Sequence, residues 1–315
     1  MPKYILKRIV SAIPVLLIVV FITFFLMRML PGDVAVMILG KDASPGDLEI
    51  LRETMGLNDP KMVQFVHYIQ DLLHGDWGTS LYNNMPVFEN IRNSLEPTVL
   101  IMILSVLISV VVGIPVGIIS AVHRNSLLDY TLMSVSVLGL SIPVFWSSIM
   151  LAFYVGTVWQ ILPNMYYTPI AQAGLWGSIR YVILPSVALG FQSIASIARY
   201  TRSTMLDVLG DDYIRTARAK GLAEKAVLYQ HALKNAMSPV ITHIGTNVAS
   251  LMGGACVCET VFSINGMGKL AYDSLIRRDY PQVQAIILVV ALVYIVVNLL
   301  VDIMYKVFDP RVSLD

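Results

Sequence analysis

Charge is scarce in this chain. Asp, Glu, Lys and Arg make up 14% of its 315 residues while hydrophobic residues reach 56%; an ordinary soluble domain carries about 25% charged residues. A soluble core of this size cannot bury such an excess, so lipid has to be the solvent for much of it. A net charge of only +1 excludes a strongly basic nucleic-acid binder. Cysteine is nearly missing. Cys256 and Cys258 stand two apart in an apolar run, and at helical spacing they point to roughly opposite sides, which suits neither a bridge nor a shared metal. They read as small packing residues. There is no H-E-x-x-H, no G-x-S-x-G and no pair of mid-span aspartates, so intramembrane hydrolysis has no visible catalyst. Gly139-Leu140-Ser141-Ile142-Pro143 reads as a proline-broken helix rather than a nucleophile elbow. Gly266-Met267-Gly268-Lys269 fails as a phosphate loop, because Ser263 stands where the first glycine belongs and Leu270 where Ser or Thr belongs. The expectation is a chain that is not an enzyme and binds no metal and no cofactor.

What is present are long apolar runs. Ile9–Leu30, preceded by Lys3, Lys7 and Arg8, is too long for the core of a signal peptide and reads as a retained first span. Further spans are expected at Thr98–Val122, Leu132–Val158, Tyr181–Ala198, Pro239–Val261 and Gln284–Val301, each near the length of about 20 residues that crosses hydrocarbon. Gly113, Pro115 and Gly117 should loosen or kink the second, and Ser141-Ile142-Pro143 should break the third. Residues 31–97 are acidic, with Pro45-Gly46 and Pro60 as breakers and a short amphipathic helix near Lys61–Leu73 whose apolar positions are Val63, Val66, Tyr68, Ile69 and Leu73. Trp159, Tyr166, Tyr167 and Trp176 suit an interfacial belt. The fold class is all-α, a polytopic membrane protein of about six transmembrane helices, since these runs are too long and too uniformly apolar for barrel strands. No internal repeat is strong enough to use.

Between spans four and five lie Arg199, Arg202, Arg215, Arg218, Lys220, Lys225 and Lys234. Basic loops stay cytoplasmic. That places both termini inside and the 31–97 segment outside. The chain divides into 1–30 with the first span, the 31–97 outer loop, the 98–308 transmembrane core with a cytoplasmic loop at 199–238, and a 309–315 tail. Ionisable groups near span ends are Arg28, Glu259 and Asp302, and His243 is the titratable residue well inside. A proton-driven carrier should show more of them, so any pumping must draw energy from another subunit.

The 199–238 loop holds a short, complete helix. Asp211 or Asp212 can cap its start, Arg218 and Lys220 suit the negative end of its dipole, and Gly221 fits the left-handed position just past its end. Tyr213, Ile214, Ala217 and Leu222 are its exposed apolar residues in this reading. A second helix, about Ala223–Ala236, should end before Ser238-Pro239 opens span five. Pattern alone leaves two roles open for the first helix: lying on anionic lipid or docking into a groove on a cytoplasmic partner.

Tyr213-Ile214-Arg215-Thr216-Ala217-Arg218-Ala219-Lys220-Gly221, followed by His231-Ala232-Leu233-Lys234-Asn235-Ala236 and Pro239, resembles the coupling-loop signature of ABC importer permeases, in the form used by the dipeptide/oligopeptide/nickel family. Nearly the whole chain agrees in order: Pro31-Gly32-Asp33, Gly56-Leu57, Gly75-Asp76-Trp77-Gly78-Thr79-Ser80, Pro86-Val87, Phe262-Ser263-Ile264-Asn265-Gly266-Met267-Gly268, Arg278-Asp279-Tyr280-Pro281 and Asp309-Pro310-Arg311. It departs where the general signature has Glu-Ala-Ala and this chain has Arg215, Thr216 and Ala217, and at Val34 and Asn265, where proline is common. The resemblance implies a type I ABC importer permease fold in a bacterial cell membrane. It implies a second, homologous permease subunit, two cytoplasmic ATPase subunits that hold ATP and Mg, and an external substrate-binding protein that delivers solute. Residues Tyr213 to Gly221 would take the ATPase stroke. The cargo would be di- or oligopeptides, with nickel or another chelated metal as the alternative; a stand-alone channel or secondary carrier would need the 213–221 likeness to be accidental.

Pathway candidates come from spacing. On span five His243, Asn247, Ser250 and Gly254 fall on one helical face, which suits either an aqueous path or packing between helices. Gln192 joins them from span four, with Ser196 and Arg199. One imidazole without visible partners makes a poor metal site.

Overall fold

The computed structural model describes residues 2–29, 33–40 and 42–308; Leu30, the Pro31-Gly32 pair and the 309–315 tail with its Asp309-Pro310-Arg311 motif lie outside the described residues. Among those described there are thirteen α-helices and no strand. They are α1 (Pro2–Met29), α2 (Val34–Leu39), α3 (Pro45–Thr54), α4 (Lys61–Leu73), α5 (Val87–Val122), α6 (Leu127–Ser141), α7 (Val144–Leu151), α8 (Ile170–Leu209), α9 (Asp212–Ala219), α10 (Glu224–Ala226), α11 (Leu233–Val261), α12 (Met267–Ile276) and α13 (Tyr280–Phe308). Two π-helical stretches, Ala152–Val158 and Val227–Ala232, extend α7 and lead into α11. Four helices are long and apolar enough to cross a membrane. Counting two bent pairs as one span each makes six, matching the number expected.

The chain folds as two compact units. One comprises the residues up to Ser94 with Leu270–Ile295, the other Leu95–Lys269 with the residues from Val296 on. In the first unit, Pro45 proves to be a helix starter rather than a breaker: Ser44 accepts the Asp47 N–H and Pro45 occupies the first turn of α3, where its missing N–H costs nothing. Helix α4 spans the residues expected, but its inward face differs. Phe65 and Tyr68 pack on Phe24 of α1, with ring centroids 5.2 and 5.5 Å apart, while Val63, Val66 and Leu73 are exposed. Two of the sequence motifs named above, nearly two hundred residues apart, meet here. The buried Asp279 carboxylate accepts from the Ser80 hydroxyl and, at 3.1 Å, from the Leu81 N–H.

In the second unit α5 runs through Pro97 and Pro115 as one helix. Gly113 and Gly117 do not loosen it; they let α8 approach. The contact is a ladder of small residues four apart, the usual device for close helix packing in lipid. Ser105 and Ser109 donate to the carbonyls of Ser186 and Gly190 at 3.1 Å, and Ser186 returns a bond to Ile101 O at 3.2 Å. A Cβ on Gly117 would lie 2.6 Å from Ala198 O and from Thr201 Cβ. Helices α6 and α7 meet at 98° across the expected break at Ile142-Pro143, and Gln192 Nε2 donates to the freed Ile142 carbonyl at 2.8 Å. The predicted helix over 223–236 is not separate from span five. From Glu224 the chain continues through the π-helical stretch into α11, with Pro239 inside it and a bend of 44° near Val248–Ser250.

Candidate functional site

Helix α9 is built as the sequence suggests at its end and differently at its start and on its face. Gly221 has φ +78°, and its N–H donates to Arg218 O at 2.9 Å while Leu222 N–H reaches Ala217 O at 3.4 Å. This paired closure needs a left-handed residue after the helix, which glycine adopts without strain. Asp211 holds the N-cap position but makes no side-chain cap bond. Ile214 and Ala217, expected to be exposed, are buried. They sit in one apolar cluster with Ile118 and Ala121 of α5, Met205 of α8, Val227 and Ala232 of the π-helical stretch, and Ala236 of α11. Spacing at i and i+3 marks a face but does not say whether the face looks in or out.

The opposite face is turned to solvent. Tyr213, Arg215, Thr216, Arg218, Ala219, Lys220 and Gly221 are exposed there, as is Leu222 beyond them. Two polar contacts hold α9 to the chain on its C-terminal side: Asn235 Nδ2 donates to the Tyr213 hydroxyl at 2.7 Å, and Arg218 bonds Glu224 at 2.7 Å. An eight-residue helix is not stable alone. It exists because Ile214 and Ala217 anchor it where α5, α8 and the start of α11 converge.

Sequence reasoning missed Asp129. It is the acid that opens an otherwise uncharged run, and it sits three residues after the N-cap Ser126, a pattern that signals a capping box. Its buried carboxylate accepts two bonds of 2.7 Å from Arg202, one of 3.0 Å from Asn125 N–H and one from the Ser120 hydroxyl. The pair ties the start of α6 to α8, seven residues before α8 ends beside α9. That is about 10 Å along the axis.

The pathway candidates gather at one place. Gln192, Asn247, Ser250 and Gly254 all line a cavity of about 180 Å³, together with Ser193, Ser196 and apolar residues of α6, α7, α8 and α11. His243 stands beside it rather than on its wall. Its Nε2 lies 2.9 Å from Ser196 Oγ, and its ring stacks on Tyr200 with centroids 4.3 Å apart. Asn247 Nδ2 donates to the His243 carbonyl at 3.0 Å. Gly254 serves packing as well, since a Cβ there would lie 2.6 Å from Leu189 Cδ1. Arg199 does not line this cavity.

The 262–268 motif has a structural cause. Glu259, which the sequence places near a span end, is fully buried. It accepts from the Thr98 hydroxyl at 2.5 Å and from the Lys269 N–H at 2.8 Å, and Gly266 lies directly against its carboxylate. The glycine-rich turn that superficially resembles a phosphate loop is wrapped around an acid of its own chain.

Comparison with known proteins extends this geometry. A family described as "Binding-protein-dependent transport system inner membrane component" matches residues 113–314, and its N-terminal companion matches 1–102. The dipeptide transport system permease protein DppB of Alkalihalophilus pseudofirmus is 40% identical, covering 99% of this chain and 100% of that one. A probable peptide ABC transporter permease protein of Sinorhizobium fredii is 41% identical over 99% of both chains, and the Escherichia coli DppB is 38% identical over 99% of both. Among solved structures the MetNI methionine ABC transporter, at 17% identity, aligns with a TM-score of 0.58 over 71% of this chain and 98% of the other, which shows a shared fold.

Proposed function

Since the chain belongs to the binding-protein-dependent transport system inner membrane components, an integral membrane family, we propose that it forms half of the translocation pathway of an ATP-driven importer of di- and oligopeptides. The other half is a second, homologous permease subunit. Two ATPase subunits on the cytoplasmic side bind ATP and Mg, an external binding protein delivers the peptide, and this chain carries out no chemistry of its own. Basic residues between α8 and α11 favour an orientation with α9 and both termini in the cytoplasm.

The observation that carries the reading is the two-sidedness of α9. Its exposed residues Tyr213, Arg215, Thr216, Ala219 and Lys220 offer a surface to a motor. Its buried Ile214 and Ala217 belong to one apolar cluster with residues of three pathway helices. When the ATPases close, α9 moves as a rigid body, held at its end by the Gly221 turn. Ile214 and Ala217 push the ends of α5, α8 and α11, and the Asp129–Arg202 bridge draws α6 along. The bundle then switches between inward- and outward-facing packings. The cavity between α8 and α11 lies on the path that this switch opens. Its amide and hydroxyl groups at Gln192, Asn247 and Ser250 are neutral donors and acceptors, which suit the neutral amide backbone of a peptide. The relatives named for dipeptide and peptide transport, about 40% identical over the full length, favour peptide over nickel as cargo.

The test is purification of the tagged chain from cells that express the whole system, followed by reconstitution. ATPase subunits should come with it, and peptide uptake into vesicles should require them, ATP and the binding protein. Accumulation of solute against a gradient by this chain alone would refute the proposal.

A further inference from the structure

The first unit contains a cavity of about 430 Å³ that the transport reading does not use, lined among others by Arg28, Arg52, Asp33, Lys61, Tyr280 and Gln284. A cavity of this size is typical of sites for small molecules. Its charge is lopsided. Arg52 is spent on acids of its own chain, at 2.5 Å from Asp33 and 2.9 Å from Glu49, and its hydrogen bond holds the Asp33 carboxyl below the usual carboxylate range. Arg28 is not spent in this way. Its guanidinium carbon lies over the Phe24 ring, 3.4 Å from the centroid, and its Nε donates to Gln64 Oε1 at 2.9 Å. Among the described residues neither its terminal nitrogens nor Lys61 Nζ meets a carboxylate. Two further lining residues are more than nine-tenths buried, and their Tyr280 hydroxyl and Gln284 Nε2 have no hydrogen-bond partner among the described residues. A partly buried cation and two orphaned polar groups are each costly to leave unmet. One oxyanion could answer several of them, since arginine presents a fork matched to a carboxylate.

A second cavity of about 250 Å³ shares Arg28, Met55, Gln64, Pro281 and Gln284 with the first. It adds the carboxylates of Asp71 and Asp76 and lacks Arg52 and Lys61. Arg28 between Lys61 on one side and Asp71 and Asp76 on the other suits a molecule with a carboxylate at one end and an ammonium several bonds away at the other, a pattern that inorganic phosphate and a phosphatidylglycerol headgroup lack.

We propose that the chamber bounded by Arg28, Lys61, Tyr280 and Gln284 is a second binding site, distinct from the α8–α11 cavity, that takes the terminal carboxylate of a short free peptide. It shares with the transport reading only the class of solute. The experiment is equilibrium dialysis of the full-length chain, in an uncharged detergent and without the binding protein, against labelled dialanine and against dialanine amide. Dialanine should bind, and the amide should bind about tenfold more weakly or worse, as loss of a charge-assisted bond requires. Arg28→Gln and Lys61→Gln should each weaken dialanine by a similar factor; Lys61 is exposed, so its variant tests the idea even if the other misfolds. Lys225→Gln, a like change at an exposed residue that lines none of these cavities, should leave this binding unchanged. Several outcomes would overturn the proposal: no binding of dialanine, equal binding of the amide, indifference to Lys61→Gln, equal loss of binding in Lys225→Gln, or occupation by added phosphatidylglycerol with dialanine excluded. Intact dialanine binding in a chain that fails to support ATP-driven uptake would sink the transport proposal and leave this one standing.

Discussion

Truncating Ile214 should disconnect the motor from the pathway without dismantling either. Ile214 has no solvent exposure and packs in the cluster that joins α9 to α5, α8 and α11. Ile214→Ala removes three buried carbons, and substitutions of that kind cost about 2–5 kcal/mol. Because α9 is too short to persist undocked, most of that loss falls on the docking of α9. A cost of about 3 kcal/mol shifts the docked-to-undocked balance roughly a hundredfold, at 1.4 kcal/mol per decade. Ile214→Val removes one carbon and should cost about 1 kcal/mol, roughly fivefold. The assay is peptide accumulated per ATP hydrolysed in vesicles containing the complete transporter. The ratio should fall in the order Ile, Val, Ala, while the ATPases still co-purify, because the outer face with Tyr213, Arg215 and Lys220 is unaltered. An Ile214→Ala transporter that moves as much peptide per ATP as the parent would show that force does not pass through this contact.

Gly221→Asp places a side chain where φ is +78°, at a strain of about 1 kcal/mol, but a Cβ there meets nothing within 4 Å. The spans should insert normally and ATP hydrolysis should continue without uptake; normal coupled uptake would count strongly against the role given to the turn. Asp129→Asn leaves Arg202 facing a neutral amide and should lower stability by about 2 kcal/mol. Combined with Arg202→Leu it should cost less than the two singly summed, read from thermal unfolding of the purified complex; strict additivity would deny the pair. Gly117→Ala would stabilise an isolated helix by about 1 kcal/mol, yet here the added methyl meets Ala198 O and Thr201 at 2.6 Å, so overpacking of about 1–3 kcal/mol should win. A raised melting temperature in the same assay would show that α5 and α8 are not in close contact at this point.

The spans are legible because length and apolar composition report the solvent directly. The α6–α7 pair and α13 contain the runs read from the sequence, and α1 contains the first run up to Met29. What periodicity cannot show is contact between distant segments. Gly113 and Gly117 carry the composition of a weakened helix, and only the position of α8 turns them into a packing surface. Pro45 looks like a breaker in isolation because proline both ends and begins helices; Ser44 and Asp47 decide which, and Asp47 by itself is merely one more acid of the loop. Gln192, Asn247, Ser250 and Gly254 can be grouped from spacing on two helices. That α8 and α11 enclose them around one cavity, and that His243 meets Ser196 and Tyr200 instead, depends on how the two helices pack, which no local pattern encodes.

The helix α9 shows why the direction of a face is the hardest thing to read and the most consequential. An amphipathic segment with Ile214 and Ala217 on one side and Arg215, Arg218 and Lys220 on the other fits a lipid surface, a groove on a partner, or the underside of its own bundle equally well, since each merely asks for apolar residues at i and i+3. The three differ in what the charged side then touches. If the apolar face were the docking surface, the motor would grip it and the charges would lie against the bundle, and nothing would carry displacement inward. With Ile214 and Ala217 buried in one cluster with Met205, Val227 and Ile118, the proposed role of α9 requires a grip that is polar and superficial and a linkage that is apolar and buried. Coupling should therefore fail in two distinguishable ways: loss of the outer charges releases the motor, and loss of the inner methyls leaves it attached and idle.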